Sequence, residues 1–223
     1  MLRRHLTLFL LSAAFAALFL FPAFTGLLTD WWWFGEIGYR IVFTRELTTR
    51  LLLFLAAGGL TTGVLYLNLR AAQRGLVPNP VVLQFAPGAQ RVDVSAALRR
   101  LSLPVSLGFG LLAGFAATPA WDLVLRMIHR TPFGVVDPIF SRDIGFYVFT
   151  LPALSAAIEF LTTLTRLCLF LLVPLYWMRG DVVLGPRGLS IEPAAGLHLA
   201  ILLAVLFVLT ALRLWMSPPL RST

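Results

Sequence analysis

Apolar residues dominate five stretches of the chain, Leu6–Leu28, Leu51–Leu69, Leu101–Ala120, Leu151–Met178 and Pro193–Leu212, and most charged positions gather between them. A helix rises about 1.5 Å per residue, so about 20 apolar residues cover the ~30 Å of hydrocarbon in a bilayer. Each stretch meets that length. The pattern predicts an all-α integral membrane fold of five transmembrane helices, forming a single multi-pass domain over residues 1–223. The first stretch follows Met1-Leu2-Arg3-Arg4, which could open a signal peptide, with Ala14-Phe15-Ala16 as a weak cleavage site. Its apolar run continues well past the about 7–15 residues of a signal core, which favours a retained first span.

The segments between the stretches set the expected orientation. Arg70, Arg74, Arg91, Arg99 and Arg100 stand against one acid, Asp93, in the second loop, and Arg3 and Arg4 mark the N-terminus. The first loop balances Arg40, Arg45 and Arg50 with Asp30, Glu36 and Glu46, and the third balances Arg126, Arg130 and Arg142 with Asp122, Asp137 and Asp143. Arginine excess marks the cytoplasmic side, so the expectation is a plasma-membrane protein with a cytoplasmic N-terminus and second loop and an extracytoplasmic C-terminus. The fourth loop, with Arg179 and Arg187 against Asp181 and Glu192, is neutral. In the second loop Val81–Phe85 can pair as a short strand, and Ser95 is a plausible N-cap for span three.

Both outer loops carry an acid-Ile-Gly-aromatic unit followed by Val-Phe: Glu36-Ile37-Gly38-Tyr39 with Val42-Phe43, and Asp143-Ile144-Gly145-Phe146 with Val148-Phe149. A two-span parallel repeat explains the echo. A shared need for interfacial aromatics explains it as well and is favoured, because Trp and Tyr concentrate at headgroup depth. The loops are therefore expected to lie on the outer surface as short amphipathic helices.

Composition sharpens the class. The chain is 59% hydrophobic and 13% charged, against about 25% charged in an ordinary soluble domain. A net charge of +8 would suggest nucleic acid in a soluble protein. Here the arginines flank apolar spans, so no nucleic-acid partner is expected and the lipid bilayer is. All 18 basic residues are Arg. Cys168, the single cysteine, has no internal partner and reads as a small buried side chain.

The outer-loop strings also carry a resemblance. Trp32-Trp33-Phe34-Gly35-Glu36-Ile37-Gly38-Tyr39, Val77-Pro78-Asn79-Pro80, Leu98-Arg99-Arg100-Leu101 and the run from Asp137-Pro138-Ile139-Phe140 through Asp143-Ile144-Gly145-Phe146-Tyr147 to Leu151-Pro152 resemble the signature of Uncharacterised Protein Family one-eight-two. This is a bacterial multi-pass membrane family, and the likeness covers nearly the whole chain. The resemblance implies the site motif Trp33, Phe34, Gly35, Glu36, Gly38, Tyr39, Asp137, Pro138, Phe140, Asp143, Gly145, Phe146 and Tyr147, but no activity. It also implies longer relatives with further spans and a large extracytoplasmic domain, so these 223 residues are expected to be the N-terminal part of a longer architecture.

Candidate chemistry is sparse. Ser155, Glu159, Thr162, Thr163 and Arg166 fall on one helical face of span four. Glu159 lies about 12 Å and Arg166 about 22 Å from Leu151 along the axis. Two charges at that depth each cost at least ~2.5 kcal/mol, so they should face protein or water. A proton or ion relay, a polar stripe locking neighbouring helices, and an interfacial Glu159 all fit. Glu159 and Arg166 stand roughly 10 Å apart along the axis, too far for a direct pair unless long side chains converge. Gly59 with Gly63 and Gly110 with Gly114 make small-xxx-small patterns that predict close packing of spans two and three. His198 reads as a buried, hydrogen-bonded histidine, and His5 and His129 lie at other levels, so no metal site and no cofactor are expected. Asp137 reads as a turn former and Asp143 as a partner for Arg142 or Arg40. No nucleophile–base motif is present, so no enzyme is expected. The expected role is a non-enzymatic scaffold or anchor of an envelope complex, with other membrane or envelope proteins as partners. The alternative is a transporter or channel with a Glu–Arg polar path.

Overall fold

A computed structural model describes the backbone of residues 2–74, 82–83, 92–93, 95–138, 141–185 and 188–216, with side chains at 15, 17, 18, 21–74, 97–138, 141–185 and 188–216. Among the described residues the fold is all-α apart from two small antiparallel strand pairs and one isolated bridge, Val136 with Asp143. Two compact units divide the chain, residues 1–49 and residues 50–223.

In the first unit, helix α1 (Leu2–Glu36) turns into α2 (Arg40–Gln73) through three residues. Gly38, at φ 78°, donates its N–H to the Gly35 carbonyl at 3.3 Å, and Tyr39 donates to Phe34 at 2.9 Å. This is a Schellman termination, which needs a left-handed residue that glycine adopts without strain. The expected separate amphipathic helix in the first loop is therefore corrected. Trp31–Glu36 complete α1, and Ile41–Phe43 open α2, because a turn this tight leaves no residues for a third helix.

The second unit holds the rest of α2, then α3 (Ser95–Ala117), α4 (Trp121–Ile128), α5 (Leu151–Arg179) and α6 (Pro193–Met216). A 3₁₀ turn over Thr118–Ala120 joins α3 to α4, and a π turn over Phe146–Thr150 leads into α5. Strands β1 (Val82–Leu83) and β2 (Val92–Asp93) pair antiparallel, placing a strand within the expected Val81–Phe85. The other residues of that segment, and Val77–Pro80, lie outside the described residues. Helix α3 starts at Ser95, so the residue expected as its N-cap is instead its first helical residue.

Strands β3 (Val182–Gly185) and β4 (Gly188–Ile191) form a hairpin in the fourth loop, which charge counting had passed over as neutral. Gly180, at φ 76°, ends α5 in a second Schellman turn, with Asp181 donating to Tyr176 at 3.0 Å. Pro193 then opens α6, where a missing N–H costs nothing.

Among the described residues four helical segments are long and apolar enough to cross a membrane: Arg40–Gln73, Ala97–Ile128, Phe146–Arg179 and Pro193–Met216. Each contains one expected stretch. The first expected span falls in α1, whose side chains are in large part outside the described residues, so it is not among these four. The core joins Leu65, Leu69 and Ala72 of α2 to Leu164, Cys168, Leu172 and Tyr176 of α5 and Ala195 of α6. Cys168 is buried there, as its apolar reading required.

The glycine contacts shift by one residue from the expected register. A Cβ on Gly58 would stand 2.9 Å from the Gly110 carbonyl oxygen, one on Gly110 2.7 Å from that of Gly58, and one on Gly114 2.8 Å from that of Phe54. Spans two and three do approach closely, at Gly110 and Gly114. Gly59 and Gly63 meet nothing within 4 Å. Adjacent residues on a helix point about 100° apart, so only Gly58 of the Gly58–Gly59 pair can face α3.

Candidate functional site

The polar residues of span four do not share one environment. Thr162 is buried and donates to the Ile158 carbonyl at 2.7 Å, satisfying its hydroxyl within its own helix. Ser155, Thr163 and Arg166 are exposed. The five positions do fall within about 100° of one another around the helix, as expected, but only Thr162, at one edge of that arc, is buried.

Glu159 and Arg166 do converge, at 3.8 Å, because two long side chains lean along the axis. Arg213, in the last turn of α6, pairs with the same carboxylate. The sequence reading missed Arg213. Depth held the signal: in consecutive antiparallel helices the start of α5 and the end of α6 lie at one level, and Arg213 is the only ionisable residue of α6 besides His198.

Beside Glu159 lies a cleft of about 590 Å³ between α2, α3, α4 and α5. Alanines of α2, α3 and α5 form its walls, among them Ala57, Ala113, Ala117, Ala153 and Ala157, and their small side chains leave the space. Thr61, Glu159 and Thr163 are its polar side chains. Thr61 is 1% exposed, and its hydroxyl has no hydrogen-bond partner among the described residues.

A second polar cluster joins α2, α5 and α6 near the other end of α5. The Asn68 amide nitrogen donates to the Val64 carbonyl at 2.7 Å, which turns its oxygen toward His198 Nε2 at 2.8 Å. His198 Nε2 then carries the hydrogen, and Nδ1 accepts from the Tyr176 hydroxyl at 2.8 Å. His198 is thus the hydrogen-bonded histidine the sequence suggested. One turn on, Arg179 pairs with Asp181 at 3.1 Å and also donates to the Ala72 carbonyl. The Schellman turn at Gly180 swings Asp181 back to make this pair possible. Gln73 adds a bond to the Leu98 carbonyl at 3.1 Å, tying α2 to α3.

The motif residues of the loops are structural in their contacts. In the first unit Trp31 meets Phe43 edge-on at 6.0 Å, Phe34 lies 5.5 Å from Phe43, and the Arg40 guanidinium sits 5.2 Å from the Trp31 ring. Gly35 leaves room for that guanidinium, since a Cβ there would come within 2.7 Å of it. Trp32, Trp33 and Tyr39 remain exposed. Asp137 closes a turn as expected, accepting from the Ser141 N–H at 2.9 Å through its carbonyl. Phe140 lies outside the described residues. In the third loop, which the expected layout began after Ala120, the one helix of the described residues before the π turn is the short α4, Trp121–Ile128, continuous with span three through a 3₁₀ turn.

Among the described residues Asp143 forms no arginine pair. Its carboxylate accepts the backbone N–H groups of Gly145 (2.6 Å), Gly134 (2.9 Å) and Phe133 (3.2 Å), holding the loop to the start of α5. The two echoed units therefore differ in structure: Ile37-Gly38-Tyr39 leaves a helix through a left-handed glycine, whereas Gly145 is helical at φ −57°. The Phe133 N–H above all, with those of Gly145 and Gly134, holds the Asp143 carboxyl below its ordinary 3.8, against partial desolvation. A depressed native pKa stabilises the loop above the unfolded value, and that contribution is lost as pH falls through the native value. Amide exchange at Gly134 and Gly145 is expected to accelerate as pH is lowered through that range, after correction for intrinsic exchange. In Asp143→Asn it should be fast already at neutral pH and show no such step. A step that persists in Asp143→Asn would remove Asp143 as its source.

The chain matches the family model described as Uncharacterised protein family (UPF0182) over residues 7–219. It is 39% identical over 213 residues to a UPF0182 protein of Cupriavidus necator, covering 92% of this chain and 23% of that protein. It is 35% identical over 221 residues to one of Rhodococcus opacus and 34% identical over 223 residues to one of Mycobacterium marinum, covering 96% of this chain and 22% of each relative. The chain thus spans less than a quarter of the length of these curated relatives. No solved structure matches it.

Proposed function

The chain belongs to the Uncharacterised protein family (UPF0182), and from that premise we propose that it is a non-enzymatic, multi-pass plasma-membrane scaffold, the anchoring part of an envelope assembly. One observation carries the reading. The ionisable side chains well inside the candidate spans are spent on one another and on neighbouring helices: Glu159 on Arg166 and Arg213, and His198 on Tyr176 and Asn68. Polar groups used this way specify helix packing and leave no bare row of charge for a solute to follow. The exposed Trp32, Trp33 and Tyr39 at the α1–α2 turn supply the surface for a membrane or envelope partner. The arginine asymmetry supports a cytoplasmic N-terminus and an extracytoplasmic C-terminus.

Transport is the second reading, favoured by Glu159 and Thr163 on an open cleft. Single cysteines at Ala157 and Thr163 on a Cys168→Ser background separate the two. The scaffold reading expects neither to react with a membrane-impermeant thiol reagent, and Trp33→Ala to lower recovery of co-purifying envelope proteins. Rapid labelling at both positions would mean a water-filled path and would replace scaffold with transport.

A further inference from the structure

The β3–β4 hairpin between α5 and α6 has an apolar face that is only half covered. Antiparallel register sets Val182 opposite Ile191 and Leu184 opposite Leu189. Residues two apart on a strand share a face, so these four side chains form one apolar face, and Val183 and Ser190 stand on the other. The inner end of the apolar face is packed. Val182 lies against the helix core that holds Leu172, Tyr176 and Ala195, and Ile191 lies against Gly196, 3.4 Å from where a Cβ would stand. The outer end is bare, with Leu184 77% and Leu189 62% exposed. A two-stranded hairpin is marginal in water unless such a face is packed. This one is fixed at its base, by the buried Arg179–Asp181 pair and by the Glu192 N–H, which donates to the Asp181 carbonyl at 2.8 Å.

Direction identifies what covers the bare end. The core that Val182 meets is built by the candidate spans α2, α5 and α6, so the apolar face is turned toward the spans and not away from them. Leu184 and Leu189 point the same way, to where no described residue covers them. With the spans in a bilayer, lipid lies on that side. Trp177, 66% exposed in the last turn of α5, marks headgroup level beside the hairpin base. We infer that the hairpin is a membrane finger: Leu184 and Leu189 enter the headgroup–acyl boundary of the leaflet at which α5 ends and α6 begins. The loop's charges cancel, Arg179 and Arg187 against Asp181 and Glu192, so the insertion is apolar and needs no anionic lipid. The inference rests on the membrane reading and goes beyond the scaffold role, because it adds a lipid contact outside the spans.

The test uses residues 1–223 in phosphatidylcholine vesicles, on a Cys168→Ser background, with a spin label on a single cysteine replacing Val183, Leu184, Leu189 or Ser190. Collision with oxygen, which concentrates in lipid, is compared with collision with a water-soluble nickel chelate. A further label at Phe170, 72% exposed in α5, reports on the span itself. Chelate contact at Phe170 would take down the membrane reading and the proposal with it. With Phe170 in lipid, the chelate is expected to meet the labels at Leu184 and Leu189 about tenfold less than those at Val183 and Ser190, since an apolar layer excludes polar solutes. Molar salt and added phosphatidylglycerol should leave that contrast unchanged. Leu184→Asp should bring the label at Leu189 into water while Phe170 stays in lipid. Equal, high chelate collision at all four hairpin positions, or a contrast that salt removes, would overturn the proposal. Shielding of Leu184 and Leu189 from both reagents would overturn it as well, and would mean that protein, from a second copy or from further chain, covers the tip.

Discussion

Gly110→Leu is expected to cost about 3 kcal/mol of stability, the upper end for overpacking, because backbone rather than a yielding side chain blocks the new atoms. A Cβ at Gly110 meets the Gly58 carbonyl oxygen at 2.7 Å and crowds Thr62 as well. Relief requires α2 and α3 to separate, which would also stretch the Gln73 bond to the Leu98 carbonyl and part the Phe54 and Phe115 rings, now 4.9 Å apart. Gly59→Leu and Gly63→Leu are the controls. With nothing within 4 Å of either added Cβ, both should be neutral or slightly stabilising, since leucine favours helix over glycine by up to about 1 kcal/mol. Thermal unfolding in detergent, with membrane abundance alongside, measures all three. Equal losses at Gly59 and Gly110 would show that the helices meet one residue out of the register described.

Asp181→Ala should be as damaging by a different mechanism. Arg179 and Asp181 are 9% and 8% exposed, so removing the carboxylate strands a guanidinium in a site that water barely reaches. Breaking one partner of a buried pair costs about 3–5 kcal/mol, whereas replacing both by apolar groups of similar volume is often near neutral. The double variant Arg179→Met, Asp181→Leu is therefore expected to recover much of the loss. Recovery should be incomplete, because Arg179 also holds the Ala72 carbonyl at the end of α2. A double-mutant cycle on the unfolding midpoint isolates the coupling. Strict additivity would mean that the two residues act independently and that the pair does not hold α5 to the hairpin.

Much of this protein is legible along its chain. Four of the five expected stretches lie inside helices long and apolar enough to span, and the outer-loop strings carried a family likeness that the comparisons bear out. The small-residue pattern also pointed correctly to Gly110 and Gly114. The errors share a character. Gly59 was preferred to Gly58, Asp143 was assigned to an arginine when it accepts three backbone N–H groups, and Arg213 was overlooked as a partner of Glu159. The β3–β4 hairpin was hidden by counting charges in a loop whose strand signal is four residues long on each side.

By itself the sequence determined which segments are helical and apolar enough for a bilayer, because that property is a sum over one contiguous window of about 20 residues. The turns were not read from it, although their cause is local: Gly38 and Gly180 end their helices through a left-handed backbone that other residues enter at a cost. Only the tertiary structure decided which helix face meets which, and so which glycine is packed, which threonine hydroxyl lacks a partner and which arginines share Glu159. Those relations depend on distances between residues far apart in the chain, and a change of one residue in helix register rotates every contact by about 100° without altering the apolar content of the segment at all.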